Sequence, residues 1–299
     1  MALAGRVMQN AGLYQDQVVH IGDIHFWRVV LNPLRLMNKR FLGNLTVLLK
    51  RRYEFPTENA EPFADAVAAT GVKTVIMTGD FTSTSLDGEF ELAVRFVRGM
   101  RDRGLTVHVL AGNHDVYTFE AWRAARFEHY FAEFLPEGGY PSLQHLPGGT
   151  PLILVPTVCP RHLSARGLVT PETIEEVSDL LTKCGPRVIV AAHYPVLHHT
   201  HGYTSSRWRR LENAEALRTA LAASGRRILY LCGHVHRFSY ERDRDNPNIE
   251  HLSSDGFFRR AARTGVDGEF VEIGVTGEGF RVRRHMHRQT WSVLEELLR

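Results

Sequence analysis

Val107-His108-Val109-Leu110-Ala111-Gly112-Asn113-His114-Asp115 reads as a buried strand that runs directly into a glycine followed by an amide, an imidazole and a carboxylate. The carboxyl end of such a strand is where open α/β sheets place their ligands. Turn chemistry selects the same residue types, because Asn and Asp also cap helices and a helical pattern begins near Thr118. The rest of the chain decides between the two readings. Val18-Val19-His20-Ile21 is a second apolar strand, and it ends in Gly22-Asp23-Ile24-His25. Residues two apart in extended chain point to the same side, so Asp23 and His25 can chelate one ion together. Val72 to Thr78 ends in Gly79-Asp80, Val188 to Ala192 in His193-Tyr194-Pro195, and Ile228 to Cys232 in Gly233-His234-Val235-His236. Helical patterns over 57–70, with Thr57 as N-cap and Gly71 as stop, and over 87–103 separate the first strands. That alternation predicts parallel strands, right-handed crossovers and all the polar loops on one edge.

Composition bounds the class. A chain of 299 residues with 43% hydrophobic content can bury a large core, and one α/β domain over residues 1–299 is the simplest expectation. A net charge of +3 does not imply nucleic-acid binding, and no basic groove with interleaved aromatics lies near the motifs, so no nucleic-acid partner is expected. Histidine is abundant, with 16 residues, and imidazole is the commonest metal ligand. Cys159, Cys184 and Cys232 form no Cys-x-x-Cys pair, which fits a reducing cytoplasm better than a disulfide framework. The first 16 residues do not read as a signal peptide, and no apolar run reaches the roughly 20 residues a membrane span needs. Further along, the patterns predict a helix near Phe119 to Leu135, a strand over 152–155, and a helix after Thr170 with Pro171 at its first position. A hairpin is expected around Thr276-Gly277-Glu278-Gly279, and a short amphipathic helix from Trp291 to Arg299.

The ordered set Asp-x-His, Gly-Asp, Gly-Asn-His-Asp, His and Gly-His-x-His, spanning 22–236, resembles the calcineurin-like metallophosphoesterase family. The resemblance implies a four-layer α/β/β/α sandwich, a phosphodiester or pyrophosphate hydrolase, and a pair of divalent metals at the carboxyl edge of the sheets. Carried over residue by residue, Asp23, His25 and His236 would hold one ion, Asn113, His193 and His234 the other, and Asp80 would bridge them. Carboxylate and imidazole ligands suit Mn²⁺ or Fe²⁺ and admit Zn²⁺. His114 is assigned to stabilising the phosphoryl oxygens or protonating the leaving group, with Asn113, His198 and His199 as further substrate contacts. One position departs from the pattern: Ser83 stands where many members carry the Asp that orients this His, so Asp115 or a hydroxyl near position 83 is expected to hold the imidazole. The leading expectation is a hydrolase from the bacterial branch that includes cyclic-nucleotide phosphodiesterases and UDP-2,3-diacylglucosamine pyrophosphatases. A cyclic-nucleotide phosphodiesterase is the alternative enzyme reading, and an inactive scaffold on the same fold is the alternative of another class.

Phe26 to Phe55 interrupts what should be a short strand-to-helix connection. It carries Arg28, Arg35, Lys39, Arg40, Lys50, Arg51 and Arg52 against Glu54. Asn32-Pro33 reads as a helix start, while Leu34, Met37, Phe41, Leu45 and Leu48 recur at helical spacing, with Gly43 as a possible kink. Two roles compete: an apolar stripe packed on the sheet with a solvated basic rim, or a cap resting on an anionic membrane that admits a lipid-linked substrate. The second carries the expectation of a cytoplasmic protein peripheral at the inner face of the membrane. Asn38-Lys39-Arg40-Phe41-Leu42-Gly43 and the insert's position after Asp-x-His resemble the diacylglucosamine pyrophosphatase branch.

Overall fold

The computed structural model describes residues 13–30, 40–200, 203, 207–262 and 264–298. Its first sheet joins β1 (Asp16–Ile21), β2 (Thr74–Met77) and β3 (Thr106–Val109) as parallel neighbours. On the other side of β1 the sheet continues antiparallel through β12 (Gly268–Val275), β13 (Phe280–Arg288) and β14 (Thr290–Glu296). The second sheet runs in the order β10 (Ser239–Arg242), β11 (Ile249–Ser253), β9 (Arg227–Cys232), β7 (Arg187–Ala191), β5 (Pro151–Leu154) and β4 (Ser142–His145). A small parallel pair, β6 (Gly167–Leu168) with β8 (Leu211–Glu212), sits apart from both.

Why the central strands read as unbroken apolar runs follows from burial on both faces. Val19, Ile21, Val75 and Met77 turn to a core shared with α3 (Ala60–Ala68) and α4 (Asp87–Asp102), while the alternating Val18 and Ile76 turn inward. In the second sheet Val188, Val190, Ile228 and Tyr230 pack outward against α7 (Pro171–Thr182) and α8 (Ala214–Ala223). Ile189, Ala191, Leu229 and Leu231 point inward and meet Val18 and Ile76 in the middle core. Three cores between four layers result, the predicted α/β/β/α sandwich.

Three local expectations need correction. The helix foreseen over 119–135 is broken: α5 (Phe119–Arg123) stops, Ala125 takes a left-handed conformation with φ 46°, and α6 (Arg126–Phe131) resumes before a 3-10 turn. The break lets Phe127 and Phe131 reach Phe81, at ring separations of 6.1 and 4.6 Å. Thr57 does not cap its helix through its side chain; a 3-10 turn over Thr57–Asn59 precedes α3. The helix expected from Trp291 is instead a strand through Glu296. Pairing with β13 overrides the local composition, and Trp291 packs on Phe63, Phe270 and His287 from β14. By contrast Pro171 opens α7 with Thr170 accepting from the Thr173 amide, and the turn over 276–279 closes the β12–β13 hairpin as expected.

The insert carries a helix built inside out. Asn32, Pro33, Leu34, Arg35, Met37 and Lys39 lie outside the described residues. From α1 (Arg40–Thr46) the helix passes through a π-helical turn, Val47–Arg51, into α2 (Arg52–Glu54), and Gly43 does not split it. Gly43 instead permits close approach: a Cβ there would sit 2.7 Å from Thr84 and 3.1 Å from the Tyr117 hydroxyl. Among the described side chains, the face turned to the protein carries Arg40, Gly43, Asn44 and Val47. Arg40 donates to the carbonyls of Thr84 and Ser85, and Asn44 exchanges hydrogen bonds with the Val30 backbone. Phe41, Leu45, Leu49 and Tyr53 face outward, 44–70% exposed, so the stripe expected at Phe41 and Leu45 does not pack on the sheet.

Candidate metal centre

Five loops meet at the carboxyl edge because their backbones continue the sheet past its last residues. The Asp23 amide donates to the Gly79 carbonyl, the His25 amide to Asp80, and the Gly233 amide to His193. Side chains must then turn sharply into a common space, and Asp23, His25, Asp80, His234 and His236 all adopt φ between 50° and 68°. Such left-handed residues cost about 1–3 kcal/mol each unless the surroundings hold them. Glycines supply the room. A Cβ on Gly79, itself at φ +96°, would lie 2.3 Å from the Gly112 amide nitrogen, so these loops can touch only as glycines.

Asp23, His25, Asp80 and His236 each offer a ligand atom, all within 4.8 Å of one another. His25 Nε2 lies 2.9 Å from His236 Nε2 and 3.5 Å from an Asp80 oxygen, and His236 Nε2 lies 3.3 Å from Asp23. On the other side of Asp80, its second carboxylate oxygen is 3.5 Å from His193 Nε2. Asn113 Oδ1 lies 3.1 Å from that nitrogen and 2.8 Å from His234 Nδ1. One oxygen of Asp80 thus faces each set.

The donor chemistry fits cations. His25 Nδ1 lies 3.2 Å from the Thr82 carbonyl, His193 Nδ1 2.8 Å from the Thr78 carbonyl, and His234 Nε2 2.9 Å from the Arg209 carbonyl. A carbonyl only accepts, so each of those nitrogens carries the proton and the other ring nitrogen turns a lone pair into the site. Lone pairs facing one another and two carboxylates repel unless a cation lies between them. Ligand bonds of about 2.1 Å put neighbouring ligand atoms roughly 3.0–3.4 Å apart at octahedral or tetrahedral angles, matching the spacings here.

Electrostatics points the same way. Burial drives the imidazoles of His25, His193 and His234 below their ordinary values, toward the neutral ligating form. Burial and then the neighbouring Asp23 charge push the Asp80 carboxyl well above the usual range, a stress that a shared cation would relieve. Burial also opposes charge on Asp23, but the charge and hydrogen bond of His236 and the His234 amide hold its carboxyl below that range.

Asp115 does not hold the His114 imidazole. Its carboxylate accepts from the amides of Gly112, Phe81 and Thr82 and from the Thr82 hydroxyl, tying two ligand loops together, and burial raises it to about 7. The imidazole is held from position 83 by the backbone instead: His114 Nδ1 lies 2.7 Å from the Ser83 carbonyl, and its ring stacks on Tyr117. His198 and His199 are exposed, and His199 lies 3.3 Å from Glu241, so neither is brought to the cleft.

That cleft, about 280 Å³, is walled by Asp80, Asn113, His114, His234, Arg209 and the insert residue Arg51, with Lys50 and Glu54 at its rim. Arg209 reaches the His234 carbonyl at 2.9 Å. Sequence reading missed both arginines as site residues. The basic run Arg207-Trp208-Arg209-Arg210 following His193 was the available signal for one; for Arg51, only its position four residues after the inward Val47 would have told its direction.

A family model described as calcineurin-like phosphoesterase matches residues 17–238. No curated protein sequence matches the chain. Among solved structures, a dimetal phosphatase from Danio rerio superposes with TM-score 0.62 at 14% identity, covering 94% of this chain and 99% of that one. A purple acid phosphatase from yellow lupin seeds gives TM-score 0.57 at 12% identity, covering 94% of this chain and 52% of that one. A 5'-nucleotidase from Candida albicans gives 0.50 at 15%, with 91% and 51% covered. At these identities the likeness is one of fold.

Proposed function

Because the chain belongs to the calcineurin-like phosphoesterase family and is a metal-dependent phosphoester hydrolase, we propose that it cleaves a phosphodiester or pyrophosphate bond in an amphiphilic, nucleotide-linked substrate at an anionic membrane surface. The reading is of the UDP-2,3-diacylglucosamine pyrophosphatase type. The carrying observation is the insert helix, which sends Arg51 into the cleft while turning Phe41, Leu45, Leu49 and Tyr53 to solvent. Trp208 and Leu163, 60% and 87% exposed, lie one and two residues from the cleft-wall residues Arg209 and Ala165. Exposed apolar side chains on elements that wall the cleft suit acyl chains better than a compact cyclic nucleotide.

Within the cleft we assign Asp23, His25 and His236 to one divalent ion, Asn113, His193 and His234 to the other, and Asp80 to both. Two such ions, when bound, clamp a phosphoryl group and lower the pKa of a coordinated water. The residues of the chain do the rest. Carbonyls of Thr82, Thr78 and Arg209 lock the ligand imidazoles in orientation, Asp115 fixes the two glycine loops, and Arg209 and Lys50 add positive charge for a second phosphate.

The membrane arm is tested with outward residues only. Lys50, Arg51 and Arg52 do not form one membrane-facing set, since Arg51 turns into the cleft. Replacing both Phe41 and Leu49 with Gln is expected to weaken flotation with anionic vesicles by roughly tenfold per residue, as about 1.5 kcal/mol or more of apolar burial is lost at each. Hydrolysis of bis-p-nitrophenyl phosphate should stay at the wild-type rate. Unchanged flotation, or equal loss of soluble-diester hydrolysis, would make the helix a structural cap and favour a small soluble substrate.

A further inference from the structure

His114 is held through its Nδ1 by a backbone carbonyl, with a guanidinium laid against its ring. Ser83 brings no carboxylate to it: the Ser83 hydroxyl is buried and lies 3.3 Å from the His25 carbonyl. A carbonyl only accepts, so His114 Nδ1, 2.7 Å from the Ser83 carbonyl, carries a proton that is committed to the backbone. The Arg51 guanidinium lies along the ring, with Nη1 3.2 Å from Nδ1 and Nη2 3.4 Å from Nε2, and Nη1 is 3.5 Å from the same Ser83 carbonyl. A guanidinium has five N–H donors and no acceptor, and it keeps its proton at any ordinary pH. The arginine is therefore a permanent hydrogen-bond donor on this wall of the cleft, with the imidazole against it as support.

Resting on the phosphoester-hydrolase reading above, we infer that Arg51 is a catalytic residue that hydrogen-bonds the leaving oxygen of the phosphoryl group, and that His114 and the Ser83 carbonyl are its positioning partners. The π-helical turn Val47–Arg51 ends at this side chain, and irregular turns of this type recur where a helix must aim one residue. The chemistry selects the substrate. Water supplies the oxygen of the new P–O bond and gives up a proton to solvent. The old P–O bond breaks with its electron pair on the leaving oxygen, which departs as an anion because Arg51 stabilises it without protonating it. A phosphate or an aryl oxide leaves well on those terms, whereas an alkoxide needs a proton. The site is built for phosphoric anhydrides ahead of alkyl diesters.

Full-length wild-type, Arg51→Ala and Arg51→Lys proteins, with metal content measured for each, should be compared on bis-p-nitrophenyl phosphate, a soluble UDP-sugar and a 3',5'-cyclic nucleotide. Wild type is expected to favour the anhydride and the aryl diester over the cyclic alkyl diester by at least about 10²-fold, the low end of what a general acid contributes. Arg51→Ala should lower kcat by roughly 10²–10³-fold, the range for losing one such donor, with metal content unchanged. Millimolar guanidinium should then restore part of the rate to Arg51→Ala alone, and Arg51→Lys should keep more activity than the alanine variant. A misfolded alanine variant would show low metal content and no rescue, leaving the lysine variant and the wild-type substrate order to decide. An Arg51→Ala protein as active as wild type would overturn the inference and leave the hydrolase standing, as would a wild type that prefers the cyclic nucleotide. Inactivity of the wild type on all three substrates with two metals bound would overturn the hydrolase reading itself.

Discussion

Asp80→Ala is expected to lose activity by at least about 10³-fold, because bimetallic charge stabilisation supplies several kcal/mol and each 1.36 kcal/mol is tenfold. Metal content should fall at both positions together. Asp80 is buried, with one oxygen turned to His25 and the other to His193, so among the described residues it is the carboxylate placed to reach both proposed ligand sets. Without it two dications roughly 3.5–4 Å apart would repel by far more than the ~4 kcal/mol that unit charges feel near a protein surface. The loss also has a structural component, since Asp80 accepts the His114 amide at 2.8 Å. Elemental analysis of the purified variant checks the claim; two metals per chain retained at wild-type affinity would contradict the bridging role.

Gly112→Ala is expected to inactivate the protein nearly as completely without removing any functional group. The added methyl would meet the Asp80 amide nitrogen at 2.1 Å and its carboxylate oxygen at 2.2 Å, so one loop must move. Misplacing a reacting group by about 1 Å costs on the order of 10²-fold, and here the displaced group is the carboxylate proposed to bridge the two ions. Gly185→Ala is the matched control, since a Cβ there meets nothing within 4 Å. Equal activity of the two variants in the same assay would mean that the loops yield without disturbing Asp80.

The fold was legible because its central strands are buried on both faces and end in glycine followed by a ligand-type residue. Val18 to Ile21, Val188 to Ala191 and Ile228 to Cys232 could hardly be read as anything else, and alternation with helices fixed their loops to one edge. What escaped was decided by tertiary context. The segment 290–296 becomes a strand because β13 offers it an edge and Phe63 and Phe270 offer Trp291 a seat. Periodicity located a helix in the insert but could not say which face turned inward, since a buried Arg40 and Asn44 satisfied by carbonyls defeat the rule that the apolar side faces the protein. The same inversion concealed Arg51. Asp115 stood out beside Asn113 and His114, yet apart from the Gly112 amide of its own loop its partners, two backbone amides and one hydroxyl, belong to a loop distant in sequence.

Stepwise reconstitution of the metal-stripped protein tests the central claim most directly. Mn²⁺ is added in fractions of an equivalent while calorimetry follows binding and hydrolysis of bis-p-nitrophenyl phosphate follows activity. Two equivalents should bind, with activity appearing as the second site fills, as expected if Asp80 joins Asp23, His25 and His236 to Asn113, His193 and His234. Binding of a single equivalent, or full hydrolysis by the metal-stripped protein in excess chelator, would contradict a dinuclear phosphoester hydrolase.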